Sequence, residues 1–301
     1  MKIGIFGSKN TPESQLLEKA AIEKGHTAVR FSQYDFTFEL RNNIFSIRSE
    51  IDFADLDIVL IRGIDRQYNF DNRSFNKANE ALITLRYLRE ELGIPLVDEY
   101  RVLDPFFYQS GKMMTAQKLA QEKIPQPDAW QFGSKEKLKE AINSFSFPLI
   151  AKSPNGRKGL GIYKLECQAD LEKLLSDLTT DSFPYIIQEY LPSDGDIRVF
   201  CVGYKALGAM KRFIPTGDFR ANISQGGRGE KIVLPKEAIE IAEKAAEVTK
   251  TEIAGVDLIE SNGKYYVIEV NQAPQFRGFI EYTGINPANA IVDYLEKKAK
   301  K

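Results

Sequence analysis

Three polar residues interrupt two otherwise apolar segments late in the sequence: Asp257 in AGVDLIE, and Glu269 with Asn271 in KYYVIEVN. Carboxylates in such runs need compensation, because an unpaired buried charge is costly. Side chains at i and i+2 of a strand share a face, so Glu269 and Asn271 point the same way, and an antiparallel partner sets Asp257 across from them. Ser261, Asn262 and Gly263 between the two runs suit a tight turn that requires positive φ. Three oxygen donors on one sheet face suit magnesium, which takes few carboxylates and completes its octahedron with water and nucleotide phosphates. The competing reading is a solvent-facing strand with ordinary charges.

Phosphate chemistry has its own candidates. Lys152 ends the strand PLIAK and is followed by a loop holding Gly156, Gly159 and Gly161. Glycines let backbone amides approach phosphate oxygens while the lysine supplies a point charge. No glycine-lysine-serine/threonine closes this loop, so it is not a Walker loop, and a glycine-rich surface hairpin is the alternative. Lys112, near the start of SGKMMTAQKLA, is by itself an ordinary helix lysine. QEYL (188–191) ends an apolar strand and runs into Pro192, Ser193, Asp194 and Gly195, leaving backbone groups that an adenine edge can use. Asp196 opens DIRVF. GDFRAN sets Arg220 and Asn222 just ahead of Gly226, Gly227 and Gly229.

These residues need elements to hold them. The first hundred residues alternate strand and helix: Lys2 to Phe6, a helix from Ser14 to Lys24, Ala28 to Phe31, Asp57 to Arg62, a helix around Arg73 to Leu92, and Ile94 to Val97. Such alternation implies a mostly parallel sheet covered on both faces. The turn after the first strand, GIFGSKNTPES, lacks the G-x-G-x-x-G spacing of nicotinamide and flavin enzymes. From about Arg101 the texture becomes α+β: a helix from Ser110 to Glu122, a helix capped by Ser134, strands PLIAK and GIYKL, and a helix from Ala169. A long strand pair then turns at Gly203 and Tyr204, and a helix spans Lys236 to Thr249. The aromatic run Phe31, Tyr34, Phe36, Phe38 is expected to cover the first sheet, Trp130 to serve packing, and His26 to lie exposed in a loop.

Composition narrows the chemistry. Within 301 residues there is one histidine and there are two cysteines, Cys167 and Cys201, which excludes Cys/His zinc clusters, a disulfide framework and multi-histidine metal centres. With 41 basic and 42 acidic residues the formal net charge is −1, so no whole-chain field draws nucleic acid or an anionic membrane, and neither is expected as a partner. No apolar run approaches the roughly 20 residues of a membrane span, and no leader precedes Lys2, so a cytoplasmic location is expected.

In their order, SGKMMTAQKLA, AKSPNGRKGLG, QEYL, DIRVFCVG, GDFRAN, AGVDLIE, VIEVNQAP and GFIEYTGIN resemble the ATP-grasp superfamily, and within it the RimK-type glutamate ligases, from about Ser110 onward. The resemblance implies an ATP-grasp fold over 101–301, with a lid subdomain at about 125–186 and a metal-binding subdomain at about 187–301. A Rossmann-like pre-ATP-grasp α/β domain over 1–100 would precede it. It implies that Lys112 and Lys152 hold the ATP phosphates and Glu189, Tyr190 and Leu191 the adenine. Asp196 would take the ribose, and Arg220, Ala221 and Asn222 the γ-phosphate. Asp257, Glu269 and Asn271 would bind two magnesium or manganese ions, with Glu269 bridging them. The implied reaction is ATP-dependent phosphorylation of a carboxylate to an acyl phosphate, followed by amine attack to give an amide, with Arg220 and Lys152 as catalytic cations.

The implied partners are ATP, an amino acid with glutamate favoured, and a carboxylate-bearing protein, peptide or metabolite acceptor. A homo-oligomer is compatible with the family. Ser224 and Gln225 stand where the family carries histidine and arginine, and Gln272 and Ala273 stand within its asparagine-to-proline run. Arg228 and Arg277 are the candidates for the missing cationic contacts to a substrate carboxylate. The alternatives are a biosynthetic ligase of the same fold, acting on a coenzyme or carrier protein or resembling glutathione synthetase, and a non-catalytic ATP-binding regulatory module.

Overall fold

The computed structural model describes residues 1–63, 80–100, 111–153, 161–215 and 228–300. Three sheets carry the architecture. The first has the order β2-β1-β5-β6 and is wholly parallel, from β1 (Lys2–Phe6), β2 (Thr27–Phe31), β5 (Ile58–Ile61) and β6 (Leu96–Val97). Every residue of β5 is buried, as expected for a strand covered on both faces. Helix α1 (Pro12–Glu23) begins where Thr11 accepts a hydrogen bond from Ser14 N and Pro12 fills the first turn, where its missing N–H costs nothing. Of the expected helix around Arg73 to Leu92, residues 80–86 are α-helical and Tyr87–Glu91 form a π-turn; the earlier part lies outside the described residues.

A separate hairpin, β3 (Thr37–Arg41) with β4 (Ile44–Arg48), was not anticipated from the sequence. Its turn places Asn42 and Asn43 at φ 52° and 62°, the left-handed pair that a two-residue hairpin turn requires. This changes the aromatic expectation. Phe31 and Phe36 do pack with Phe6 and Phe53, but Phe38 stacks on Phe45 in the hairpin and Tyr34 is half exposed.

The second sheet, β7-β10-β8-β9, is antiparallel and comprises β7 (Ala129–Gln131), β8 (Leu149–Lys152), β9 (Ile162–Leu165) and β10 (Ile186–Glu189). Its last strand in chain order, β10, ends at Glu189. Helices α3 (Lys135–Ala141) and α4 (Gln168–Ser176) cover it through Leu138, Leu171 and Leu175. Trp130 meets Phe145 edge-on at 5.2 Å, a packing role. Helix α2 (Gly111–Gln121) precedes this sheet.

The third sheet is antiparallel with order β13-β12-β11-β14-β15: β11 (Gly195–Val202), β12 (Lys205–Phe213), β13 (Gly229–Ile232), β14 (Ile253–Ser261) and β15 (Lys264–Gln272). The expected turns are present: Gly203 and Tyr204 have φ 57° and 66°, Asn262 and Gly263 52° and 73°. One face, with Ile197, Val199, Val256, Leu258, Val267 and Val270, packs on helix α5 (Lys236–Val248). Ala238, Ala242, Ala245 and Ala246 form the stripe of small residues that contacts it. A bulge between β14 and β15 pairs Asp257 with Glu269 but Leu258 with Val267, leaving Ile268 as the extra residue.

The opposite face is divided. Toward one end Phe200 and Met210 pack against helices α6 (Arg277–Thr283) and α7 (Pro287–Ala299) through Phe279, Ile291 and Leu295. The same cluster includes Ile3, Ile5, Leu17, Ile58 and Leu60, so α7 joins the first and third sheets in one core. His26 belongs to this junction and is not an exposed loop residue: its Nε2 lies 2.6 Å from Glu296, beside a Lys24–Asp293 pair at 2.5 Å. The helix C-terminus of α1 places it against α7. Among the described residues no helix is long and apolar enough to cross a membrane. Ile291, fully buried in the junction, sets a test: Ile291→Ala is expected to cost about 2–5 kcal/mol, read as a lower urea midpoint with an unchanged slope.

Candidate active site

At the other end of the divided face the third sheet is charged. Strand alternation puts Asp196 and Arg198 of β11, Arg212 of β12, Asp257 of β14, and Glu269 and Asn271 of β15 on the side away from α5. Register sets their neighbours: Arg198 is opposite Asp257, Asp257 opposite Glu269, and Asp196 opposite Arg212. Arg198 forks onto Asp257, Nε to Oδ1 and Nη2 to Oδ2, both at 2.7 Å. Arg212 Nη2 reaches the same Oδ2 at 3.0 Å while its Nε donates to Asp196. Asn271 Nδ2 donates to Asp257 Oδ2 at 3.1 Å. The antiparallel placement expected for Asp257, Glu269 and Asn271 is therefore observed, and the competing picture of a solvent-facing strand does not hold for Asp257, whose side chain is 5% exposed.

Two lysines come from outside the sheet. Lys112, in the first turn of α2, donates to Glu269 Oε1 at 2.6 Å. Lys152, at the end of β8, donates to Gln188 Oε1 at 2.6 Å on the neighbouring strand β10. Lys152 also feels both Lys112 and Glu269, so the second sheet brings its lysine to the carboxylates of the third.

Burial and charge act against each other throughout. Burial pushes the Asp257 carboxyl up, but the charges and hydrogen bonds of Arg198 and Arg212 outweigh it and hold the group below the usual carboxylate range. Glu269 is lowered in the same way, with Lys112 overcoming burial and the repulsion of Asp257. At Asp196 burial wins: assisted by Asp257's charge it raises the carboxyl to about 6, and Arg212 offsets only part. Lys152 is lowered to about 8, by burial first and then by the like charge of Lys112. Among the described residues four cations, Lys112, Lys152, Arg198 and Arg212, thus face three carboxylates, Asp196, Asp257 and Glu269. The surplus is positive, which suits an anionic ligand.

The remaining expected residues are placed as follows. The ladder of β10 ends at Glu189, whose N donates to Asp128 O at 2.9 Å, so Tyr190 and Leu191 lie beyond its last rung. Lys164 sits 4.2 Å from the Tyr190 ring centroid. Arg220, Ala221 and Asn222 lie outside the described residues, as do Gly156, Gly159, Ser224 and Gln225. Arg228 and Arg277 are not brought to the charged cluster by any contact among the described residues. Arg228 is exposed beside Glu230, and Arg277 lines a cavity of about 560 Å³ with Pro12, Gln15 and Leu16 of the α1 region. Arg198 and Arg212 were not singled out from the sequence. Their signal was present as a basic residue at the inward phase of otherwise apolar strands, DIRVF and ALGAMKRF.

The donor set fits a hard cation. Asp257, Glu269 and Asn271 offer oxygens on adjacent, registered strands, whereas among the described residues no three His, Cys, Asp or Glu side chains gather into a metal cluster. Two carboxylates and an amide are few protein ligands, the number magnesium commonly takes beside phosphate.

The three-sheet architecture is that of an ATP-grasp protein. It superposes on the ATP-grasp ligase PsnB complexed with minimal precursor, Mg and ADP with TM-score 0.76 at 19% identity, covering 99% of this chain and 98% of that one. The macrocyclase MdnC bound with precursor peptide MdnA, from Microcystis aeruginosa MRC, gives 0.74 at 17%, covering 99% and 100%. Residues 109–295 match the RimK-like ATP-grasp domain, and the chain belongs to that family. A "Probable alpha-L-glutamate ligase" of Methanococcoides burtonii is 33% identical over 192 residues, 63% of this chain and 64% of that relative. The match thus spans a little under two thirds of the relative's length.

Gly195 sits where the sheet has no room. A Cβ there would lie 2.1 Å from the Arg212 carbonyl oxygen. Gly195→Ala is expected to push β11 from β12 and cost about 1–3 kcal/mol, read by chemical denaturation.

Proposed function

We propose that the protein is an ATP- and magnesium-dependent carboxylate-amine ligase that forms an amide bond through an acyl phosphate. The observation that carries this is the registered trio Asp257, Glu269 and Asn271, enclosed by Lys112, Lys152, Arg198 and Arg212. The family assignment supports it. In this reading residues 1–100 form the preceding α/β unit. The nucleotide lies between the second sheet, which supplies Lys152 and Glu189 to Leu191, and the third, which supplies the carboxylates.

Lys112 and Lys152 bind the phosphates and Tyr190 with Leu191 the adenine edge. Asp257, Glu269 and Asn271 hold magnesium, two ions in the fullest form of the reading, with manganese as the other hard cation suited to these oxygens. When bound, the metal neutralises charge on the transferring phosphoryl group. Lys112 would exchange Glu269 for a phosphate oxygen, and Arg198 would keep Asp257 in place as the carboxylate turns to the cation. Asp196 is read as the ribose ligand, with Arg212 fixing its orientation. Arg220 with Ala221 and Asn222 completes the γ-phosphate contacts. No side-chain nucleophile is needed, because the acceptor carboxylate attacks the phosphoryl group and positioned cations stabilise the charge. Glutamate is the favoured amine, supported by the curated relative's name, and a C-terminal carboxylate of a peptide or protein the favoured acceptor.

The test is incubation with ATP, magnesium and a panel of amino acids and acceptors, scored by phosphate release and mass additions; no release with any combination defeats the reading. Glu269→Gln is expected to lower kcat at least about 100-fold with the circular dichroism spectrum unchanged. Lys152 adds a pH test. Its free-state charge is complete well below its lowered value of about 8 and is lost as pH rises through it. Affinity for a non-hydrolysable ATP analogue is therefore expected to fall between pH 7 and 9 in the wild type. Lys152→Ala should bind more weakly at pH 7 and show a flatter profile.

A further inference from the structure

Asn271, the last residue of the oxygen-donor trio, leads straight into residues 272–276, and the first sheet holds that loop at two points. Gln272 Nε2 donates to Asp98 O at 2.8 Å. Two residues on, Pro274 O accepts from Arg62 Nη2 at 3.1 Å. Between the two contacts Ala273 stands at φ 49°, in the left-handed region that a residue with a Cβ seldom takes. Phe276, fully buried, closes the loop with its ring centroid 5.6 Å from the Arg62 guanidinium.

Both holding points are themselves fixed. Arg62 follows β5, and its backbone N–H donates to Phe6 O at 2.7 Å. Asp98 follows β6 and is bonded reciprocally to the start of β14: its Oδ1 accepts from Glu252 N at 2.6 Å and Ile253 N at 3.2 Å, and its own N–H donates to Glu252 Oε2 at 2.8 Å. Lys298 of α7 donates to the other oxygen of Glu252 at 2.5 Å. The carbonyl that receives Gln272 is thus tied to two other elements. Arg62 Nε and Nη1 are buried without a hydrogen-bond partner among the described residues, so the bond to Pro274 O is what the guanidinium supplies there. A buried cation with two idle donors is a costly choice for packing alone.

The loop is coupled to the charged cluster. Gly255 is opposite Asn271 in register, and a Cβ on it would meet Pro274 Cβ at 2.9 Å and Arg198 Nε at 3.3 Å. Pro274 therefore lies folded against the strand that pairs with Asn271, beside the guanidinium that forks onto Asp257. Asn271 Nδ2 is committed to Asp257 Oδ2 at 3.1 Å, which leaves Oδ1 as the oxygen for a cation. A side chain one residue from a left-handed turn moves with that turn. Metal ligands act only when their supports hold them to within about 0.5 Å.

We propose that Arg62 and Gln272 are positioning residues for the metal site: by clamping residues 272–276 to the first sheet they keep Ala273 in its left-handed turn and so fix where Asn271 meets the cation. The inference rests on the ligase reading and deepens it, since it gives the first sheet a part in building the site that the third sheet carries. Released from either holding point, Ala273 relaxes toward negative φ, Pro274 leaves Gly255, and Asn271 turns with them.

The test compares calorimetric affinities of the full chain for a non-hydrolysable ATP analogue in magnesium and in EDTA. The ratio of the two is the magnesium enhancement. Gln272→Met, close in shape but without a donor, is expected to reduce the enhancement at least about tenfold while the affinity in EDTA stays at the wild-type value. Arg62→Met should act in the same way, and Arg62→Lys, which keeps a donor, should recover part of the loss. Ala273→Gly added to Gln272→Met should also recover part, because glycine takes φ 49° without the clamp. In metal-free protein, amide exchange over residues 272–276 should quicken in Gln272→Met. The clamp is overturned if either Met variant keeps the wild-type enhancement, if affinity falls equally with and without magnesium, or if Ala273→Gly recovers nothing. Should Arg62→Met fail to fold, Gln272→Met with and without Ala273→Gly decides. Failure of the ligase reading shows separately, as a wild type that binds no nucleotide or gains nothing from magnesium.

Discussion

The fork that Arg198 lays on Asp257 is the contact on which the third sheet and its site both depend. Two charged groups have left water, and the cost is offset only because both oxygens are met by parallel N–H groups at 2.7 Å and a second guanidinium closes on one of them. The partners sit on β11 and β14, which pair antiparallel although 59 residues separate them. A slip of one residue in either strand would turn its charge toward the alanine stripe of α5, where nothing could answer it. The rung that fixes the register of the sheet is thus the rung that presents the carboxylate.

That economy extends along the face. The half occupied by Phe200 and Met210 is dry and anchors α7, which reaches back to Ile3, Leu17 and Ile58 of the first sheet. The half occupied by Asp196, Arg198, Arg212, Asp257 and Glu269 is left for charge. The C-terminal edge of the first sheet meets the end of β15, where Arg62 Nη2 donates to Pro274 O and Gln272 Nε2 to Asp98 O, while Lys112 and Lys152 approach from other elements. Positive charge drawn from four separate segments is what lets three carboxylates persist there without mutual repulsion dominating.

Much of this was legible as strand period and turn chemistry. The Asn262–Gly263 turn fixes which residues of β14 and β15 oppose one another, so Asp257, Glu269 and Asn271 could be grouped before any coordinates. Arg198 and Arg212 escaped because their partner lies on a strand distant in sequence, and pairing between β11 and β14 leaves no local trace. The β3–β4 hairpin was overlooked although Asn42–Asn43 is a strong turn signal. Phe38 consequently stacks on Phe45 within the hairpin and not on the first sheet. His26 was misjudged for the opposite reason: a loop position after Gly25 says nothing about a helix arriving from residue 287 onward.

The bulge at Ile268 changes what β15 can do. An unbroken strand presents its side chains in strict alternation, so Val267 and Glu269 would share one side and either the carboxylate would be pressed into the core or the valine exposed to the charged face. One additional residue shifts the phase between them. With it, Val267 upstream and Val270 downstream both face the alanine stripe of α5, while Glu269 and Asn271 face the charged side. A single irregular backbone step thereby lets one strand serve both sides of the sheet, and it makes strand length at this point, not side-chain identity alone, a determinant of whether Glu269 and Asn271 stand beside Asp257 at all.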